Sequence, residues 1–155
     1  IEQYFAQYPG IRDYMEASKE FARQHVYVTT LFGRRCHVPG IRDKNAARRQ
    51  FSERAAINAP LQGTAADIIK KAMISLSCGL RSSSTGPGHA HAQSLCDSQD
   101  LRMLLQVHDE LVFEVAENAI PAAEALVKKH MENVVQLSVP LTVETGAGTH
   151  WSEAH

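Results

Sequence analysis

The chain has 155 residues, of which 44% are hydrophobic, and its formal net charge at pH 7 is -1. That length suits one domain with an apolar core, and the absence of an apolar run long enough to span a bilayer argues against a membrane protein. A net charge close to zero would by itself argue against a nucleic-acid binder, but it averages two unlike segments.

The first predicted elements are helical. Apolar spacing predicts a short helix, a break at Pro9, and an amphipathic helix that ends near His25. Residues 26–30 are rich in β-branched and aromatic side chains, and residues 35–38 can pair with them because residues 31–34 supply a turn. The sequence therefore predicts a hairpin with arginines just beyond its bend.

A helix with an N-cap is predicted next. Asn45 can cap a helix that begins at Ala46, and we expect that helix to end where Pro60 removes a backbone donor. Residues 64–67, Thr-Ala-Ala-Asp, are similar to a capping box with Asp in place of Glu, so a second helix is expected there and Asp67 is interpreted as a capping residue.

The segment at about 78–100 is predicted to be a flexible loop, since it contains a Ser-rich and Gly-rich run. Its histidines and cysteines invite a zinc interpretation, but their spacing matches no common structural zinc pattern. The three cysteines of the chain form no paired framework, which favours a reducing compartment over secretion. The residues of the zinc interpretation are Cys78, His89, His91 and Cys96.

Two aliphatic runs, residues 103–107 and 111–115, flank the polar triplet His108, Asp109 and Glu110. Both runs are too short for typical helices, so we predict an antiparallel pair of strands with the triplet at its tip. A carboxylate on a rigid turn suits a divalent metal ion and the phosphates that the ion carries. A solvated polar turn is the simpler interpretation of three isolated residues.

The last predicted elements are an amphipathic helix over 119–136 and a strand over 141–144. Charge is distributed unevenly along the chain. Residues 34–54 carry seven Lys and Arg against two acids, a local charge of +5, whereas residues 97–155 carry ten acids and three bases, a local charge of -7. The basic segment has the composition of a phosphate-binding surface, although a solvated helix face is the commoner meaning of such a run.

Four stretches together resemble the carboxy-terminal part of family A DNA polymerases, the bacterial DNA polymerase I type. They are residues 30–35, residues 53–70, residues 105–112 with the Val-His-Asp-Glu of motif C, and residues 146–155. The resemblance implies an α+β fold, with an antiparallel palm-type sheet that contains the motif C hairpin and is packed by helices. Residues 1–45 would form a fingers-side helix and hairpin, and residues 46–155 a palm portion.

The resemblance also implies an activity: template-directed nucleotidyl transfer to a primer 3′-hydroxyl in DNA replication and repair. Asp109 would bind Mg²⁺, and the complete enzyme would use two such ions, because in-line phosphoryl transfer needs both attacking and leaving oxygens stabilised. His108 would lie at the primer end, and Glu110 would be a nearby acid of secondary importance.

The resemblance places DNA contacts on the helix and on the first hairpin. Arg54, Asn58 and Gln62 match positions that face template and primer, and Arg34 and Arg35 belong to the expected DNA-binding set. Gln62 suits minor-groove hydrogen bonds, because acceptors at purine N3 and pyrimidine O2 occur in every correct base pair. The implied partners are a DNA primer-template and deoxynucleoside triphosphates.

The departures from the family pattern indicate an incomplete protein. The motif A aspartate and the nucleotide-binding helix of the family would precede residue 1, so we expect a fragment that needs the N-terminal part of the same polymerase. Val26 stands where a glycine is frequent. The resemblance implies a cytoplasmic, nucleoid-associated bacterial protein.

Two alternatives stay open. The chain could be a non-catalytic DNA-binding or scaffold remnant, and an upstream segment with a motif A aspartate would distinguish that alternative. The doublet of His108 and Asp109 could instead belong to a metal phosphohydrolase, but that class usually needs further His ligands on helices.

Overall fold

A computed structural model describes residues 2–81 and 101–154 of the chain, and for residues 78–81 it describes the backbone only. The chain divides into two compact units, residues 1–67 and residues 68–155, and the division falls inside a long helix. Each unit combines helices with one antiparallel hairpin, so the predicted α+β fold is confirmed. In the described ranges, no helix is long and apolar enough to cross a membrane.

The chain opens with two helices, α1 at Glu2–Gln7 and α2 at Pro9–His25. Pro9 occupies the first position of α2, where its missing N–H would have had no partner in the helix. At the other end Val26 takes a left-handed conformation, with φ of 63°, and its N–H donates to the Ala22 carbonyl at 2.8 Å. The predicted pair of helices is confirmed, and the break lies at Tyr8.

The first hairpin pairs β1 at Tyr27–Thr29 with β2 at Arg35–His37, in antiparallel register. Its turn is closed where the Gly33 N–H donates to the Thr30 carbonyl at 2.9 Å, and the Thr30 N–H donates to the Arg34 carbonyl at the same distance. Gly33 has φ of 80°, which a glycine adopts without steric cost. The predicted hairpin is therefore confirmed, with shorter strands than expected.

The long helix α3 spans Ala46–Arg81, and Asn45 caps it as predicted, accepting from the Ala47 N–H at 3.0 Å. The prediction that Pro60 ends a helix is wrong, because α3 continues through it. A proline inside a helix costs about 3 kcal/mol or more. Apolar residues are buried on both sides of it, Ala56 and Leu76 among them, and such packing favours a continuous helix.

Two further predictions about this region need correction. Asp67 lies inside α3, so it is not a capping residue. Residues 78–81 are helical, so the predicted loop does not begin at 78. The rest of that loop, and with it the zinc interpretation, lies outside the described residues.

The core of the first unit brings α2, the first hairpin and α3 together. Two polar contacts join α2 to α3: the Tyr14 hydroxyl donates to the Ile57 carbonyl at 2.8 Å, and Arg23 forms an ion pair with Glu53 at 2.9 Å. The first part of α3 therefore belongs to this unit. The expected division into a fingers-side part and a palm portion at residues 45 and 46 stays a prediction. The buried core residues are Ala22, Val28, Val38, Ile41 and Ala56.

The second unit contains β3 at Leu101–Val107, β4 at Glu110–Val115 and the helix α4 at Ile120–Glu132. The two strands pair antiparallel as predicted, with a bulge between Met103 and Leu105 that leaves Leu104 without a partner position on β4. The predicted helix over 119–136 is confirmed over a shorter span.

The predicted strand at 141–144 is wrong, because this segment has no regular secondary structure. A strand needs a neighbour for its backbone hydrogen bonds. In the described part of the chain, β3 and β4 pair only with each other, and the Val143 N–H donates instead to the Glu132 carboxylate at 3.1 Å.

The left-handed conformation of Val26 leads to a stability prediction. We expect Val26→Gly to raise the free energy of unfolding by up to about 1 kcal/mol, because a left-handed conformation costs a residue with a Cβ about 1–2 kcal/mol and only part of the Val26 side chain is buried. Val28→Gly is the control and should lower the free energy of unfolding by more than about 2 kcal/mol, since Val28 is only 2% exposed. Urea unfolding followed by circular dichroism measures both, and equal losses would contradict the prediction.

Candidate functional site

The second hairpin ends in a two-residue turn formed by His108 and Asp109. Val107 pairs directly with Glu110, so Glu110 begins β4. The prediction that Glu110 lies in the turn is therefore wrong. His108 takes a left-handed φ of 52°, and the side-chain amide of Gln106 donates to its carbonyl. A left-handed non-glycine residue costs about 1–3 kcal/mol and is found where the surrounding structure fixes the backbone. The paired strands therefore hold the Asp109 backbone in one conformation.

Asp109 in the turn and Glu110 beside it carry carboxylates, the ligand type that divalent cations such as Mg²⁺ prefer. The Asp109 side chain is exposed, whereas Glu110 is partly buried at the start of β4. Mg²⁺ is usually held by one or two protein carboxylates together with substrate phosphates and water, so this donor set fits part of a magnesium site. No cluster of three or more His, Cys, Asp or Glu that could hold a metal occurs in the described ranges. Metal binding by Asp109 and Glu110 therefore stays a prediction.

Arg54, Asn58 and Gln62 lie in the first unit, on the part of α3 that surrounds Pro60. All three side chains are exposed. Because they are four residues apart on a continuous helix, they share one face. Since α3 continues through Pro60, Gln62 projects from helical backbone. A guanidinium and two amides on one exposed face can donate hydrogen bonds to a polar ligand.

Arg34 has an internal role. Its Nε donates to Asp67 Oδ1 at 2.7 Å, and its Nη2 donates to the Gly63 carbonyl at 2.9 Å. The hydrogen bond that Arg34 donates to Asp67 raises the pKa of the Arg34 guanidinium above its ordinary value. Arg34 therefore joins the first hairpin to α3, and phosphate binding by this residue stays a prediction.

Arg35 differs from its neighbour because its guanidinium carbon lies 4.8 Å from the centroid of the Tyr27 ring. Its side chain is exposed on β2, so it can meet a ligand while it stacks on that ring. Two more arginines of the basic segment donate to backbone carbonyls: Arg42 to Gln24 at 2.8 Å and Arg49 to Asp43 at 3.1 Å. Part of the predicted basic surface therefore stabilises the fold.

Thr64 makes a second contact between the first hairpin and α3. Its hydroxyl accepts from the Leu31 N–H at 2.9 Å and donates to the Pro60 carbonyl at 2.6 Å. Sequence reasoning missed this role and that of Asp67, because it interpreted both residues as parts of a capping box. The signal that could have revealed them is Gly63, a glycine inside a helix, which often marks a close approach of another segment.

Comparison with known proteins gives a consistent result along the chain. A family model described as DNA polymerase family A matches residues 1–153. The chain is 49% identical over 151 residues to DNA polymerase I of Deinococcus radiodurans, covering 97% of this chain and 14% of that protein. It is 46% identical over 159 residues to DNA polymerase I of Rhizobium leguminosarum, covering 100% of this chain and 14% of that protein.

A solved structure is similar as well. It is described as the POL domain of Pol1 from M. smegmatis in complex with DNA primer-template and dNTP, and it is 43% identical with a TM-score of 0.83. The match covers 99% of this chain and 24% of that one. The chain thus spans only a small part of the proteins that it matches.

The close approach at Gly63 predicts an unusual response to Gly→Ala. Replacing a helical glycine by alanine ordinarily stabilises a helix by about 0.5–1 kcal/mol. A Cβ on Gly63 would lie 2.7 Å from the Thr30 methyl carbon, and Thr30 is buried, so we expect Gly63→Ala to lower the free energy of unfolding by about 1–3 kcal/mol.

The matched control is Gly10→Ala in α2, where a Cβ would meet nothing within 4 Å. That variant should be neutral or stabilising in the same urea titration. A stabilising Gly63→Ala would contradict the packing of the hairpin against α3.

Proposed function

This chain belongs to DNA polymerase family A, as its motifs predicted, and we propose that it is the carboxy-terminal part of a DNA-directed DNA polymerase. The proposed activity of the complete protein is template-directed nucleotidyl transfer to a primer 3′-hydroxyl, in replication and repair. Its proposed partners are a DNA primer-template, deoxynucleoside triphosphates and the N-terminal part of the same polymerase. The similar structure with bound primer-template and dNTP supports these partners.

The observation that carries the proposal is the position of Asp109 on a two-residue turn between paired strands. We propose that Asp109 is a ligand of Mg²⁺, with Glu110 in a secondary role and two ions in the complete enzyme. Bound Mg²⁺ would stabilise the attacking and leaving oxygens of phosphoryl transfer. The strand pairing supports this role, because it fixes where the Asp109 carboxylate is offered.

His108 is proposed to lie at the primer end. Its left-handed backbone directs the turn, and its exposed ring is available to a ligand beside Asp109. An imidazole can donate or accept a hydrogen bond, so it can contact a sugar or phosphate oxygen at the primer terminus. This contact would orient the primer without direct participation in bond formation.

The exposed face of α3 is proposed to contact DNA through Arg54, Asn58 and Gln62. The Gln62 amide can donate to the minor-groove acceptors of the primer-terminal pair, and these acceptors are displaced in a mispair. Asn58 and Arg54 lie one and two turns earlier on the same face and suit sugar and phosphate contacts. Arg34 and Arg35 are proposed to add positive charge near this face.

A second candidate function is a non-catalytic DNA-binding or scaffold role for this chain by itself. The observation that favours it is the donor set. Within the described ranges, Asp109 and Glu110 are adjacent acids that form no larger metal-binding cluster. The two candidates agree on DNA binding and differ on whether a second segment completes the metal site.

The test of the proposed function is Asp109→Ala in the full-length polymerase. We expect nucleotide incorporation to fall at least about a thousandfold, while the primer-template Kd stays within about threefold, because a lost metal ligand removes transition-state stabilisation more than ground-state binding. Single-turnover primer extension and fluorescence anisotropy measure the two quantities.

Glu114→Ala is the matched control, since Glu114 is an exposed acid on the same hairpin, away from the turn. It should leave incorporation unchanged. Near-normal extension by Asp109→Ala would refute the assignment.

A further inference from the structure

The turn of α3 that carries Gln62 lacks one of its ordinary backbone hydrogen bonds. Pro60 has no N–H, so the carbonyl of Ala56 receives no bond from it. A helix is locally less constrained where such a bond is missing, and kinks occur at these positions. Gln62 follows Pro60 by two residues, so contacts from outside the helix can help to fix where its amide points.

The structure provides such contacts from the turn of the first hairpin. The Thr64 hydroxyl bridges the Leu31 N–H and the Pro60 carbonyl, at 2.9 and 2.6 Å. On the next residue towards Gln62, the Gly63 carbonyl accepts from Arg34 Nη2 at 2.9 Å. The absent Cβ of Gly63 is what permits this approach, because it would meet Thr30.

Asp67 holds Arg34 in the orientation that this contact requires. Its Oδ1 accepts from Arg34 Nε at 2.7 Å, one helical turn beyond Gly63, so the guanidinium spans a side chain and a backbone carbonyl of α3. The Asp67 side chain is 17% exposed, whereas that of Arg34 is 50% exposed. The carboxylate is thus the more fixed partner, and the arginine is oriented by it.

We infer that Asp67 is a positioning residue for Gln62. Through Arg34 it holds the α3 turn at Gly63, and so it sets how strictly the Gln62 amide tests the primer-terminal base pair. The inference rests on the proposed function, because it assigns Asp67 to the same DNA contact. Asp67 itself touches neither DNA nor the reacting atoms in this assignment.

The test is a double-mutant cycle in the full-length polymerase, with the ratio of mismatched to matched primer extension as the readout. Asp67→Ala should change this discrimination ratio by about three- to tenfold when Gln62 is present, and by less than about twofold in the Gln62→Ala background. A residue that acted only on stability would change both backgrounds equally. Asp67→Glu keeps a carboxylate, and the half-exposed Arg34 side chain can shift to keep its ion pair with it. The discrimination ratio of this variant should therefore lie within about twofold of that of the unaltered polymerase.

Glu53→Gln is the matched control, because it weakens another ion pair of the same unit, that between Arg23 and Glu53 at 2.9 Å. It should leave the discrimination ratio unchanged. Hydrogen exchange of the full-length polymerase gives a readout that is independent of activity: Asp67→Ala should speed exchange of the backbone amides in residues 61–66, whereas Glu53→Gln should not.

The outcomes separate the two proposals. If Gln62→Ala changes discrimination and Asp67→Ala does not, the positioning role is wrong and the proposed function stands. If Asp67→Ala acts equally in both backgrounds, or leaves exchange in residues 61–66 unchanged, the positioning role is also wrong. If Gln62→Ala itself has no effect on discrimination, both the minor-groove contact and the positioning role are wrong.

Discussion

The contact of the Arg34 guanidinium with α3 is the interaction on which the arrangement of the first unit depends most directly. It joins the hairpin turn to Asp67 and to the Gly63 carbonyl. A half-exposed ion pair alone contributes little to stability. Here the guanidinium also satisfies a backbone acceptor, and Thr64 satisfies the Leu31 N–H beside it. The network therefore holds the first hairpin against α3. This packing orients the exposed face of α3 that carries Arg54, Asn58 and Gln62.

A related constraint operates at the second hairpin, where the backbone of His108 is left-handed. Val26 is the other described non-glycine residue with positive φ, and it stands at the end of α2. The two positions differ in what surrounds them. Val26 packs against the apolar core, which offsets part of its strain, whereas His108 is exposed and adjoins the Asp109 carboxylate. Strain at an exposed turn, beside the carboxylate proposed to bind metal, is typical of a functional position.

The sequence predicted the elements whose signals are local. Both hairpins follow from short runs of β-branched and aliphatic residues, and Asn45 follows from capping chemistry. The predictions were wrong where contacts between distant segments determine the local structure. Pro60 lies inside α3, where residues on both sides of it are buried, and residues 141–144 form no strand because no strand of the described ranges pairs with them. For the site, spacing alone placed Asp109 at the turn, whereas the link from Asp67 to Arg34 spans 33 residues and has no local signature.

The most direct test of an incomplete polymerase site is primer extension with magnesium and all four nucleotides, using the purified chain alone and mixed with the upstream half of the polymerase. If Asp109 is one ligand of a metal site that another segment completes, extension should occur in the mixture and not with the chain alone. Robust extension by the chain alone would contradict that assignment, because the second carboxylate would then lie within residues 1–155. A mixture prepared with the Asp109→Ala chain that extends as well as the unaltered mixture would contradict it too.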